Sequence, residues 1–465
     1  MGKHVTFGNY TYFLPDDGGM RITKYEGDAT ELTVPSEMGG HSVTSVGEGA
    51  FKGCTSLDSI TLPDSVASIE TEAFAGCTSL TSITIPHNVR YIGDRAFYGC
   101  IRLTSITIPD GIHSIGVNLQ AGPGVFEGCI SLTSIAIPHN VRYIGDRAFY
   151  GCIGLTSITL PDSVTHIAEG AFYGCSGLTS ITIPDSVTDF RFRFRPDPGV
   201  FEGCTGLTSI TIPKKATYIV ARAFYGCTSL NSVTIPNSVT SIQHDAFNGC
   251  TALTSISIPG CVASVGSGAF KGCTALTSLT ISDGVACIGK SAFMGCTGLS
   301  SVSIPGSVTA IKKMAFSRCT GLVSVMITHG VTFIGIGAFR GCTSLAALNI
   351  PDSVVSIGCK AFEGCTNLTS VTIPNSVSSI CNGVFAGCTG LTAVSIPGSV
   401  ARICDGAFRG CAGLFSVILP DSVEEIGKEA FDDCPDVTLT VKRGSRAEEY
   451  CIENGLRYVY NDDEA

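Results

Sequence analysis

One pair of residues, a phenylalanine followed three positions later by a cysteine, recurs along the chain and limits what it can fold into. The pair occurs seventeen times, first at Phe51 and last at Phe431. Fourteen of the sixteen intervals between successive phenylalanines are 23 residues, and the two that end at Phe126 and Phe201 are 29. Self-similarity at a fixed period of this length is typical of supersecondary units that stack in one direction. The repeat therefore predicts a solenoid.

Apolar residues occupy nearly constant positions within each unit. A leucine follows the cysteine by three residues in sixteen consecutive units, and Ile, Val or Leu follows at six and eight. Ser or Thr alternates with this last pair, which is the period-two pattern of a half-buried strand. Proline ends that strand in fourteen of the sixteen full units, since it has no N–H to donate. A second apolar pair, such as Val89 and Ile92, predicts a second short strand, and Ala-Phe-x-Gly-Cys fits a 3₁₀ turn.

This unit resembles the BspA-like subfamily of the leucine-rich repeat, which reads Leu-x-x-Ile-x-Ile-Pro-x-x-Val-x-x-Ile-Gly-x-x-Ala-Phe-x-x-Cys. The resemblance covers about residues 43–441. It implies a mainly β, right-handed, curved leucine-rich-repeat solenoid of about seventeen 23-residue units, with parallel strands, short 3₁₀ turns and a cap at both ends. No single unit buries its own apolar face, so each is stable only against its neighbours.

The segments outside the repeat predict caps. Residues 1–42 form the expected N-terminal cap, with strands in HVTFGNYTYFL and MRITKY, and residues 43–441 form the solenoid. Residues 442–465 form the expected C-terminal cap, in which Ser445, Glu448 and Gly455 predict the start and the end of a short helix before a last strand.

Composition narrows the possible partners and the compartment. The formal net charge is −10, which argues against a nucleic-acid surface. The sequence has neither a run of eighteen apolar residues nor an apolar signal segment, so we expect no transmembrane segment. Many unpaired thiols suit a reducing interior, and we expect an intracellular monomer, although the resemblance would also allow a secreted or cell-surface protein. Gly2 with Thr6 fits a myristoylation pattern; the alternative is a start methionine followed by glycine.

Seventeen of the 23 cysteines belong to the repeat, where a free thiol is a small apolar residue that fills the turn. No Cys-x-x-Cys or His-x₃-His spacing occurs, so we expect no metal and no cofactor. Cys381 and Cys404 hold the same position in adjacent units, about 5 Å apart, which a disulfide could bridge; a chance pair of thiols is the alternative. No nucleophile recurs in fixed relation to a histidine, and we expect no catalytic residue and no enzyme.

Two features are candidate binding sites. The first is the exposed side of the first strand, where Ser and Thr alternate with the buried residues; they are either a binding face or a small filler compatible with β-structure. Representative positions are Ser82, Thr84, Ser105, Thr107, Ser180 and Thr182.

The second feature is a pair of six-residue insertions, within GVNLQAGPGVFEGC (116–129) and FRFRFRPDPGVFEGC (190–204). The second insertion alternates aromatic and cationic residues, types that are enriched in binding hot spots. Slippage copied by duplication is the alternative. The residues proposed for partner binding are Asn118, Gln120, Phe190, Arg191, Phe192, Arg193, Phe194 and Arg195.

These observations favour a non-catalytic protein-interaction scaffold or adhesin-like binding module whose partner is another protein or a surface glycan. The resemblance points the same way, because BspA-like proteins look like adhesins and interaction modules. The alternative is a structural rod, ice- or matrix-associated through its Ser and Thr face.

Overall fold

The computed structural model describes residues 3–15, 18–116, 124–188 and 198–461. The chain divides into two compact units, Met1–Pro236 and Asn237–Ala465. Each unit is a stack of parallel β-strands, which confirms the predicted mainly β solenoid. We call each repeat a rung and name it after its phenylalanine.

The Phe74 rung shows how the sequence builds one turn of the stack. The turn after Phe74 is closed by a 3₁₀-type hydrogen bond from the amide of Cys77 to the carbonyl of Phe74, 3.2 Å long. The first strand follows at Ser82–Thr84, with its central isoleucine buried and both flanking residues exposed. Pro86 follows this strand, and the second strand is Tyr91–Ile92.

In the first unit, strands Lys3–Phe7, Tyr10–Leu14 and Met20–Tyr25 form an antiparallel sheet at the N-terminal end, and Glu37–Met38 pairs antiparallel with His41–Val46. The first strands are Glu31–Thr33, Ser59–Thr61, Ser82–Thr84, Ser105–Thr107, Ser134–Ala136, Ser157–Thr159, Ser180–Thr182, Ser209–Thr211 and Ser232–Thr234. The second strands are His41–Val46, Ser68–Ile69, Tyr91–Ile92, Ser114–Ile115, Tyr143–Ile144, His166–Ile167 and Tyr218–Ile219.

The second unit repeats this arrangement. Its first strands are Ser255–Ile258, Ser278–Ile281, Ser301–Ile304, Ser324–Ile327, Ala347–Asn349, Ser370–Thr372, Ala393–Ser395, Ser416–Ile418, Thr438–Val441 and Arg457–Tyr460. Its second strands are Ser241–Ile242, Ser264–Val265, Cys287–Ile288, Ala310–Ile311, Phe333–Ile334, Ser356–Ile357, Ser379–Ile380, Arg402–Ile403 and Glu425–Ile426. The helix Arg446–Asn454 is the single α-helix among the described residues of the chain.

A column of stacked phenylalanine rings forms the centre of each unit. In the first unit neighbouring ring centroids are 5.2–5.7 Å apart from Phe51 to Phe224. In the second unit the spacing is 5.1–5.7 Å from Phe247 to Phe431. Because the rungs are nearly identical, equivalent side chains of successive rungs lie one above the next. The other columns therefore have about the same spacing.

One tyrosine covers the N-terminal end of the phenylalanine column in the first unit, and another covers the C-terminal end of the column in the second unit. Tyr25 lies 5.4 Å from Phe51 at the N-terminal end, and Tyr450 packs edge-on against Phe431 with centroids 6.4 Å apart. Tyr450 belongs to the helix that the sequence predicted, in which the Ser445 hydroxyl accepts a hydrogen bond from the Glu448 amide. These two ends are therefore shielded from water, as the terminal repeats of a solenoid require.

Candidate interaction surface

The first strands present one side to the core and the other to solvent. We call the solvent side the strand face; in each rung it consists of the residue after the leucine and the first and third residues of the strand. In the Phe74 rung these residues are Thr81, Ser82 and Thr84. The parallel register places each residue opposite its counterpart in the next rung, for example Ser82 opposite Ser59.

The strand face of the first unit is regular. All six representative Ser and Thr positions predicted from the sequence are exposed there. Their side chains make no hydrogen bond to another residue within the described parts of the chain. Hydroxyls are thus presented to solvent in register on successive strands, although geometry alone does not make them a binding site.

The threonine that follows the leucine has a structural role that the sequence did not reveal. The hydroxyl of Thr81 donates to the carbonyl of Asp58 in the preceding rung, 3.0 Å away, and Thr208 donates to the carbonyl of Thr179 at the same distance. In the second unit Thr277 donates to the carbonyl of Thr254 over 3.2 Å. This column therefore ties adjacent rungs together, and replacing threonine there by an apolar residue removes a hydrogen bond.

The strand face of the second unit is interrupted twice by apolar residues. Val323 and Met326 are 48% and 59% exposed, and the small residues Ala346 and Ala347 lie on the next rung. We call these four residues the Met326 patch. The second interruption, the Phe415 patch, consists of Phe415, Ile418 and Val459, which are 58%, 65% and 45% exposed.

Two residues of the Met326 patch, Met326 and Ala347, line a groove with a volume of about 610 Å³. Its walls are residues of three adjacent first strands, Ser301, Val302, Ser303, Ser324, Val325, Met326, Ala347, Leu348 and Asn349. No Asp, Glu, Lys or Arg occurs on the strand face between Thr254 and Ile418, a stretch that the structure describes throughout. A charged ligand group would lose its hydration here without a compensating ion pair, so the groove suits an uncharged, partly apolar ligand.

The Phe316 rung, which carries Met326, departs from the repeat at four positions. Arg318 has a left-handed backbone with φ of 59° where fifteen rungs carry glycine, a conformation that costs energy for a residue with a Cβ. Val323 and Met326 replace hydroxyl residues, and Thr328 replaces the proline. Repeat alignment alone could have found this rung, because its departures are visible when Val323 and Met326 are placed under Thr81 and Thr84.

The insertion residues proposed for binding lie outside the described residues. They are Asn118, Gln120, Phe190, Arg191, Phe192, Arg193, Phe194 and Arg195.

The residues that directly follow each insertion are held in the same way. The amide of Gly124 donates to the buried Glu127 carboxylate over 3.0 Å, and the amide of Gly199 donates to Glu202 over 2.9 Å. Each glutamate also pairs with an arginine of the next rung, Arg147 or Arg222. A Cβ on either glycine would lie 1.9 Å from the carbonyl oxygen of that arginine, so only glycine fits there.

The repeat thiols, except that of Cys54, are buried and act structurally. Cys77 Sγ donates to the carbonyl of Phe51 over 3.1 Å, and Cys296 donates to Phe270 over 3.2 Å, a hydrogen bond that the sequence did not predict. Burial raises the pKa of Cys175 to about 12. Cys381 and Cys404 are free, half-buried thiols. Within the described residues no cluster of metal-binding side chains occurs, and no helix is long and apolar enough to cross a membrane.

Parallel strands are stacked rung upon rung, and each rung adds one residue to every apolar column. This is the architecture of a leucine-rich-repeat protein. The BspA type leucine-rich repeat family model matches residues 28–121, 120–193, 197–323 and 315–438. The chain therefore belongs to the BspA-type leucine-rich repeat family, as its resemblance implied. No curated protein matches it.

One solved structure supports this assignment, and two others share sequence identity with the chain. A leucine-rich repeat protein from Bacteroides ovatus is 26% identical with a TM-score of 0.61, and the match covers 98% of this chain and 99% of that one. A Treponema pallidum leucine-rich repeat protein is 36% identical over 44% of this chain and 91% of its own, with a TM-score of 0.39. A leucine-rich cell surface protein from Faecalibacterium prausnitzii is 28% identical over 97% of both chains, with a TM-score of 0.36.

Proposed function

We propose that the chain is a non-catalytic recognition scaffold that binds a partner protein through the strand face of the second unit, with the Met326 patch at its centre. The Phe316 rung carries this proposal. Its departures from the repeat cost backbone energy and an inter-rung hydrogen bond, and they place two apolar side chains in water. Local rules are broken in this way at functional sites more than elsewhere.

The chemistry of the patch favours protein over other ligands. Methionine is unbranched and polarisable, so it adapts to varied apolar surfaces and is frequent where proteins bind flexible partners. The neighbouring Ser324, Ala347 and Asn349 are small or polar and allow a partner to approach closely. An exposed apolar group with a polar rim is the usual composition of a protein interface.

The test compares one pair of exposed residues, Val323 and Met326, with a single exposed control residue. Replacing Val323 and Met326 by threonine restores what other rungs carry at these positions, so we expect the variant to fold. A partner is first identified by cross-linking to the intact chain, then purified and titrated against each variant. We expect V323T/M326T to weaken binding at least tenfold.

Val355→Thr is the matched control, because Val355 is 58% exposed but lies outside the strand face. We expect V355T to bind with unchanged affinity. A partner that binds V323T/M326T and the intact chain equally would contradict the proposal.

The insertions remain a separate proposal for the binding site, motivated by Arg191, Arg193 and Arg195 in an acidic chain. A variant that lacks both six-residue insertions, and one with the three arginines replaced by serine, belong in the same titration. If these variants lose affinity while V323T/M326T keeps it, the insertions and not the strand face bind the partner.

The regular hydroxyl columns of the first unit favour a second candidate function, association with ice, a hydrated matrix or a surface glycan. Exposed Ser and Thr in register on successive strands can order water or hydrogen-bond a polyol. Ice grown with the intact chain should then change its crystal habit, and unchanged crystals would remove the ice-associated role.

A further inference from the structure

A different exposed apolar feature lies on the first unit, in the turn after the repeat cysteine. Ile101, Ile130 and Ile153 hold the same position in three consecutive rungs, and they are 39%, 40% and 49% exposed. We call these three residues the isoleucine row. The stacked phenylalanines of these rungs are 5.4 and 5.5 Å apart, so the three isoleucines form a strip of exposed apolar positions on successive rungs. Tyr98, on the same turn as Ile101, is 41% exposed.

The fold does not require isoleucine at this position. The other rungs of the first unit carry a hydroxyl residue there, namely Thr55, Thr78, Ser176, Thr205 and Thr228. In the second unit such a hydroxyl can donate to the preceding rung, as from Thr366 to the carbonyl of Thr343 over 3.2 Å. Isoleucine forfeits this hydrogen bond and exposes apolar surface, so the row is a local cost without a structural return.

Copying of repeats explains only part of the row. Residues 86–101 and 138–153 are identical, which accounts for Ile101 and Ile153 together. Ile130 lies in a different sequence, the rung that follows the first insertion, and the corresponding rung after the second insertion has Thr205. The identity that relates the outer two residues of the row therefore does not extend to Ile130.

Arg102 gives this strip a charge. It follows Ile101 directly, is exposed, and has no ion pair or hydrogen bond within the described residues. Arg95 and Arg147, which lie two residues before Phe97 and Phe149, already form ion pairs with Glu72 and Glu127. An unpaired cation beside an exposed apolar strip is complementary to a carboxylate beside aliphatic side chains.

We propose that the isoleucine row and Arg102 form a second docking surface, for a partner segment that covers the row with aliphatic side chains and pairs a carboxylate with Arg102. This surface is independent of the strand face. The negative net charge of the whole chain would by itself attract basic segments. Preference for an acidic segment would therefore come from Arg102 and not from non-specific electrostatics.

The probe is a displayed library of random twelve-residue peptides, selected on the intact chain and counter-selected on I101T/I130T/I153T. Threonine is native to this position in other rungs, so the variant is expected to fold, and its melting curve checks this. We expect the surviving peptides to combine aliphatic residues with Asp or Glu. Synthetic copies should bind the triple variant at least tenfold more weakly and R102S about three- to tenfold more weakly. Their affinity for the intact chain should fall as salt rises.

The matched control is V323T/M326T, which should bind these peptides like the intact chain. Selection of no peptide that depends on the row would overturn the proposal. So would row-dependent peptides that lack acidic residues or are indifferent to R102S. Self-association of the intact chain that the triple variant loses, measured by sedimentation equilibrium, would identify a second copy as the occupant and also overturn it.

Discussion

Both units are built from the same repeat, yet they present different strand faces. In the first unit, Thr81, Ser82 and Thr84 recur with little change and the face is a regular array of hydroxyls. In the second unit, Val323 and Met326 interrupt the same array. The core columns are the same in both, because a side chain that stacks on its own copies cannot change in one rung without a cost. Variation is therefore found outside these columns, and the positions of the strand face where it occurs are candidates for recognition.

If the two cores are equivalent, removing one stacked ring should cost the same in either unit. Phe149 and Phe293 are both fully buried between rings 5.2–5.5 Å away. We expect F149A and F293A each to lower the free energy of unfolding by about 3–5 kcal/mol, measured by urea denaturation. A loss below about 1 kcal/mol in one unit alone would show that the cores differ.

The buried thiols should make both units sensitive to alkali. Burial raises the pKa of Cys175 in the first unit and of Cys319 in the second from an ordinary value near 9 to about 12. The unfolded chain therefore releases these protons at lower pH than the folded chain. The contribution of these thiols to the free energy of unfolding should be fully present below pH 9 and should be lost as the pH rises from 9 to 12.

Each thiol that ionises on unfolding contributes a slope of about 1.4 kcal/mol per pH unit. Denaturation curves across this range measure the slope, and Cys175→Ala should make it shallower. Unfolding free energy that is constant from pH 8 to 11 would contradict the burial of the thiols in the folded state.

The inter-rung threonine bond should be a smaller, local contribution, which the Phe316 rung lacks because it carries Val323 at this position. Thr104 donates to the carbonyl of Thr81 over 3.3 Å, and valine has the same shape without the hydroxyl. We expect T104V to cost about 1 kcal/mol of unfolding free energy, and the reverse change V323T to gain a similar amount or less. If V323T instead destabilises the chain, Val323 stabilises the second unit by packing and is not merely an exposed residue.

The smallest expected effect concerns the backbone of the Phe316 rung. Arg318→Gly removes a Cβ from a left-handed residue and should raise the melting temperature by a few degrees at most, equivalent to about 0.5–1 kcal/mol. Gly295→Ala, at the same position one rung earlier with φ of 76°, should do the opposite. If R318G instead lowers the melting temperature, contacts of the arginine side chain contribute more to stability than the left-handed backbone costs.

Periodicity was sufficient to predict the rungs, their two strands and the terminal helix. The buried and exposed sides of Ser82–Thr84 follow from alternation alone, and the helix begins at Ser445 as its capping pattern indicated. Contacts between rungs could not be predicted in this way. The bond from Cys77 to the Phe51 carbonyl depends on how one rung lies above the next, which a one-dimensional pattern does not contain.

The candidate sites were only partly accessible to sequence reasoning. The Met326 patch consists of departures from the repeat, whereas periodicity predicts only the positions that recur. The pairing of Glu127 with Arg147 required the structure, because the two residues come from different rungs.

The central claim is that recognition occurs where the strand face departs from the repeat. The most direct measurement is the dissociation constant of one purified partner for three proteins, the intact chain, V323T/M326T and T81V/T84V, the last of which alters the regular face of the first unit. We expect at least a tenfold loss of affinity for V323T/M326T and no change for T81V/T84V. Loss of affinity in T81V/T84V, with V323T/M326T unchanged, would contradict this claim and place recognition on the hydroxyl array.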